Sequence, residues 1–160
     1  MNTQTVYQML KVFHIYGFIT MIGISIANLI AYRQFWRTYA ADRTQGISVF
    51  QVIQKLQIAG MVGVITVLLA GFGMLAIHGA FTSLLWFQIK LGLIVLIFVN
   101  GFTLGRTSAL GLKTIMEQKQ TLPNEKEFTM AIQRRLHLFS VIQLIFFSTI
   151  VVLSVFRFQP

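Results

Sequence analysis

Cysteine is absent from this chain of 160 residues, which excludes disulfides, thiolate metal centres and cysteine nucleophiles. Acidic side chains are almost absent too: Asp42, Glu117, Glu125 and Glu127 are the only four. None falls within a long apolar run, so a proton relay built on membrane carboxylates has nothing to work with. No serine–histidine–acid arrangement, glycine-rich phosphate loop, or flavin or nicotinamide motif is present either. Charged residues of both signs make up only 11% of the chain, against about a quarter in an ordinary globular domain.

What is there is apolar. Hydrophobic residues make up 56% of the chain and the mean hydropathy is +0.74, which together point to one small integral-membrane domain. Four spans can be read, at about Tyr7–Tyr32, Leu56–Ile77, Leu84–Leu104 and Leu136–Phe156. The apolar run after Lys11 is too long for a signal-peptide core and no small-x-small site follows it, so the first span is expected to remain. The formal charge of +9 does not imply nucleic acid, because the basic residues border the spans. Arg33, Arg37, Arg43 and Lys55 lie between spans one and two. Arg106, Lys113, Lys119, Lys126, Arg134 and Arg135 lie between spans three and four, while His78–Ser83 has no lysine or arginine. Lysine and arginine accumulate on the cytoplasmic side. The expected architecture is therefore all-α, a four-helix transmembrane bundle in an inner membrane with both termini outside.

Ser48 and Gln51 have capping-box spacing and predict a second helix starting near Val49. Pro123–Asn124, with Glu127 three residues on from Asn124, predicts the start of the fourth. A short interfacial helix is expected at Leu110–Met116.

Membrane helices pack through small residues and turn polar ones inward. His14, Gly17, Met21, Ser25 and Asn28 form such a stripe on the first helix. Gly60, Gly63, Thr66, Ala70, Gly71 and Met74 form a broader one on the second. Lys90, Ile97, Asn100 and Gly101 share a face of the third, and His137, Ser140, Leu144, Ser148 and Val151 one of the fourth. Lys90 sits about 9 Å inside its span, one turn beyond Trp86. It either snorkels to the surface or turns into the bundle to meet an anion or ligand. His14 lies at the same depth from the same side, as do Gly71 and Met74. Two readings of His14 stay open: a buried ring bonded to a neighbouring helix, or an iron ligand. His137 belongs to the opposite end and should share no metal with His14, and His78 is expected to be an exposed, inert residue of the outer turn.

Lys11–Tyr32, with Lys11, His14, Gly17 and Gly23, resembles the first helix of the HemJ-type membrane protoporphyrinogen oxidases and related CopD-like proteins. Trp86, Lys90, Leu91, Gly105 and Arg106 are similar to that family's W-x-x-x-K-L…G-R helix. Met21 and Gln88 stand where the family has tryptophan and histidine. The resemblance implies His14 as a ligand of b-type haem and Lys90 as its functional partner, in a catalytic or porphyrin-facing role. Gly71 would then let a flat ring approach, and Met74 would line the pocket. The expected function is a small inner-membrane haem protein, oxidising a tetrapyrrole or passing electrons to a redox partner. The alternatives are a non-enzymatic scaffold or accessory subunit, and a CopD-like metal-handling protein using Met9, His14 and Met74.

Overall fold

The computed structural model describes residues 2–77, 79, 84–117 and 125–156. Among these the regular structure is helical, and four helices are long and apolar enough to cross a membrane. They are α1 (Thr3–Ala41), α2 (Arg43–Ile77), α3 (Leu85–Asn100) continued through a π-helical segment (Gly101–Arg106) into α4 (Thr107–Glu117), and α5 (Glu125–Val155). The chain is an all-α four-helix bundle and a multi-pass membrane protein. α1 packs along α2 and touches α5 with another side, and α5 in turn carries α3, the π segment and α4. Both the start of α1 and the end of α5 lie at one end, and the basic segments lie at the other.

α1 and α2 run well past their apolar spans. At 39 residues, α1 is about 58 Å long at 1.5 Å per residue, nearly twice a hydrocarbon core. Hydropathy marks only the part that lies in lipid. The amphipathic continuation Arg33–Ala41 stays helical because it packs: Phe35, fully buried, stacks on Tyr39 at 5.5 Å between centroids and meets Trp36 edge-on at 4.8 Å. Around Phe35 a buried cluster joins Tyr32, Ile53, Leu112, Ile115, Ile132 and Leu136, drawn from all four helices.

The turn between α1 and α2 is a single residue. Asp42 is extended (φ −150°, ψ 115°) and its N–H donates to the Thr38 carbonyl. Its Oδ1 accepts from the Thr44 N–H at 2.8 Å, an N-cap for α2. The helix thus begins at Arg43 rather than near Val49, and Ser48 Oγ donates to the Thr44 carbonyl inside it. The nearer acid caps first, leaving the Ser48–Gln51 box unused. α4 covers the expected Leu110–Met116 helix but is continuous with α3, because nothing between them breaks the backbone. Thr103 and Thr107 hydroxyls donate to the Val99 and Thr103 carbonyls across the π segment. Arg43 Nη2 donates to the Ile115 and Met116 carbonyls, 3.4 Å from each, placing positive charge at the C-terminus of α4 where the helix dipole favours it. α5 starts at Glu125, directly after the Pro123–Asn124 pair, which lies outside the described residues.

Two glycines let α1 and α2 close on each other. A Cβ at Gly17 would lie 2.8 Å from Val67 Cγ2 and 3.0 Å from the Gly63 carbonyl oxygen; one at Gly63 would lie 3.2 Å from the Gly17 oxygen. The stripes on α1, α2 and α3 face inward as expected, with Gly17, Gly63, Ala70 and Asn100 buried. That of α5 needs correction. Leu136, Ser140, Phe147 and Ile150 are buried, whereas His137, Ser148 and Val151 are exposed. Phe147 sets this rotation by meeting Phe18 of α1 edge-on at 5.9 Å.

Gly17→Leu and Gly63→Leu should each destabilise the bundle by about 1–3 kcal/mol or more, the cost of overpacking. Leu69→Ala, at a position 67% exposed, should cost far less. Thermal unfolding in detergent checks this, and equal tolerance at all three positions would contradict the α1–α2 contact.

Candidate functional site

His14 projects from α1 toward α2 near the termini end. Its Nδ1 lies 2.9 Å from the Val67 carbonyl oxygen. A carbonyl only accepts, so Nδ1 carries the proton and donates, and Nε2 is left with its lone pair. One turn further along α2, Gly71 makes room for the ring: a Cβ there would lie 3.3 Å from His14 Cε1 and 3.5 Å from Nδ1. The carbonyl of Val67 and the missing side chain of Gly71 together form a slot that fixes the imidazole. The space at Gly71 thus belongs to the histidine itself. Met74 lies half-buried one turn on.

Lys90 lies on α3 toward the same end of the bundle. It is half-buried and its Nζ sits over the Trp86 ring at 5.3 Å from the centroid. His14 and Lys90 thus both lie toward the termini end, on α1 and α3. No acidic side chain of the chain belongs to this end, since Asp42, Glu117, Glu125 and Glu127 all lie in the basic half. α3 is anchored elsewhere: Asn100 is its one buried residue, and its amide donates to the Phe139 carbonyl at 3.2 Å and Gln143 Oε1 at 3.0 Å. From Leu85 to Val99 the helix has no fully buried side chain.

The other histidines stay apart from the site. His137 is exposed on α5 at the basic end, and His78 lies outside the described residues. Met9 is 49% exposed on α1. Among the described residues no group of three or more histidine, aspartate or glutamate side chains is gathered as for a metal ion. The contributor that sequence reasoning missed is Val67, whose part is played by its backbone oxygen and so leaves no trace in residue type. The steps of four from Gly63 through Val67 to Gly71, opposite Gly17 and His14, were the available hint.

The arrangement offers one neutral nitrogen donor with a fixed tautomer, one ammonium group, an indole face and apolar surroundings. In protein labelled with ¹⁵N-histidine, His14 should show the Nδ1-protonated tautomer, with an Nδ1–H slow to exchange. An Nε2-protonated His14 in the purified protein would contradict the slot. No protein-family profile, no curated protein and no solved structure matches this chain.

Proposed function

We propose that this chain is a small inner-membrane b-type haem protein, similar in plan to the HemJ-type proteins, that oxidises a tetrapyrrole or passes electrons to a membrane partner. The observation that carries the reading is the His14–Val67 hydrogen bond. An imidazole that donates from Nδ1 to a backbone carbonyl is oriented to ligate through Nε2, and such an anchor raises ligand basicity. The donor set fits a haem held by a single histidine of this chain, and the fit does not require a metal cluster.

In this reading His14 would hold the iron and Gly71 would keep the imidazole upright. Met74 would line the apolar side, and Lys90 would face the porphyrin edge or neutralise a propionate. Haem supplies one-electron redox chemistry when bound. The half-burial of Lys90 beside Trp86 keeps an ammonium at the depth of the imidazole, where an anionic group in a medium of low dielectric is attracted strongly. Electrons leaving the site would pass to a redox partner or oxidant, since the chain carries no flavin or nicotinamide motif.

A second reading has an observation of its own. His14, Asn100 and Gln143 all have partners on neighbouring helices, which suits a scaffold or accessory subunit whose polar groups only fix packing. CopD-like metal handling through Met9, His14 and Met74 is the weakest, since exposed Met9 lies outside the slot.

The visible spectrum decides. Protein expressed with ample haem should purify with a Soret band, and His14→Ala should abolish it or weaken it greatly. His137→Ala should leave it intact. Lys90→Met should keep the band with weaker haem retention if Lys90 pairs with a propionate. A colourless wild-type preparation would put the scaffold reading ahead.

Orientation is tested separately. The ten lysines and arginines in the two basic segments, against none in His78–Ser83, assign the basic end to the cytoplasm. A cysteine at Thr44 should resist an impermeant thiol reagent in intact cells and one at Gly79 should react; the reverse pattern would overturn the assignment.

A further inference from the structure

The buried cluster at the basic end has a second layer above it. Tyr32, Ile53, Leu112 and Leu136 belong to that cluster, one from each membrane helix. One turn toward the termini end from each stands a hydrogen-bonding residue: Asn28 above Tyr32, Gln57 above Ile53, Ser108 above Leu112 and Ser140 above Leu136. The helices alternate in direction, so these steps of four run backward along α1 and α4 and forward along α2 and α5. All four residues arrive at one depth, Asn28 half-buried and Gln57 exposed. Ser108 is 1% exposed and Ser140 4% exposed.

The hydrogen bonding of this layer is incomplete in a complementary way. Asn28 Oδ1 and Ser108 Oγ are buried with no partner. Gln57 Nε2 donates to the Tyr32 hydroxyl at 3.0 Å, which leaves the phenolic proton of Tyr32 to be given to something else. Ser140 Oγ donates to the Leu136 carbonyl at 2.9 Å and keeps its lone pairs. The layer thus holds an acceptor lacking a donor (Asn28), a donor in reserve (Tyr32) and a hydroxyl able to do both (Ser108). A buried unsatisfied oxygen is costly, and more so where lipid replaces water as the surroundings.

We infer that this layer is a binding site for ordered water, held between Asn28, Tyr32 and Ser108 inside the membrane half nearer the basic end. Water supplies both donors and acceptors, whereas a metal cation would satisfy the oxygens only. The charged residues that flank the layer along its four helices are Arg33, Lys55, Arg106 and Arg135, all positive, and no carboxylate belongs to the layer. A cation would therefore lack a counter-charge, and a neutral molecule of two donors and two acceptors fits the deficit. Such water makes the inner half of the bundle a hydrated polar layer separate from the His14–Lys90 site, and its existence is independent of whether haem binds.

Hydroxyl-radical footprinting of the wild-type protein in lipid nanodiscs tests this directly, because radicals form from bound water beside buried side chains. Tyr32, only 6% exposed, should be modified, and Asn28→Leu should remove that modification while Phe128 at the basic end stays labelled. Asn28→Leu and Ser108→Ala should each lower Tm by several degrees, and the double variant should lose less than the sum, as residues sharing one partner do. An unmodified Tyr32 in wild-type protein, or a Tm raised by Asn28→Leu, would show the layer to be dry and overturn the inference. So would a rise in Tm specific to sodium or potassium over choline chloride that Asn28→Leu abolishes, since the occupant would then be a cation.

Discussion

Everything in this fold depends on a single requirement of the bilayer: a polar group in lipid must find its partner inside the protein. Helices meet it for the backbone. For side chains the commonest answer is local, as Thr20, Ser25, Thr66 and Thr149 return their hydroxyls to the carbonyl four residues back. Such bonds satisfy the hydroxyl without tying helices together. Polar contacts between helices do tie them: His14 to Val67 joins α1 and α2, Gln57 to Tyr32 joins them again nearer the basic end, Arg43 to the Ile115 and Met116 carbonyls joins α2 and α4, and Asn100 to Phe139 and Gln143 joins α3 and α5.

The two halves of the bundle differ in consequence. At the basic end a buried cluster around Phe35, the one-residue turn at Asp42 and the Arg43 contact with α4 make a closed, well-packed base. Toward the termini the α1–α2 pair stays tight through Gly17 and Gly63, while α3 turns no fully buried side chain inward before Asn100. The His14–Lys90 pair lies in that looser half.

How much of this was legible follows from what hydropathy and residue type record. The four spans and the end that gathers the basic residues were plain, since lipid demands long apolar runs and topology demands flanking charge. The continuation of α1 beyond its apolar span was not, because Arg33–Ala41 is held by Phe35, Trp36 and Tyr39 packing rather than by apolarity. Asp42 outranked the Ser48–Gln51 box because a helix takes the first good cap it meets. The inward face of α5 was misjudged at His137, Ser148 and Val151, since lipid is as apolar as the core and leaves large residues such as Phe147 free to face either. Depth counting placed His14 and Lys90 toward one end of the bundle. The Val67 carbonyl was beyond reach, because every residue has one and only the fold selects which is used.

The central claim is that the slot on α2 holds His14 ready to ligate through Nε2. Electron–nuclear double resonance on the ferric protein, labelled with ¹⁵N-histidine and loaded with haem, tests it most directly. The account predicts an imidazole ¹⁵N coupling to iron that disappears in His14→Gln and persists in His137→Gln. A ferric haem centre with no histidine coupling, or one whose coupling survives in His14→Gln, would contradict it.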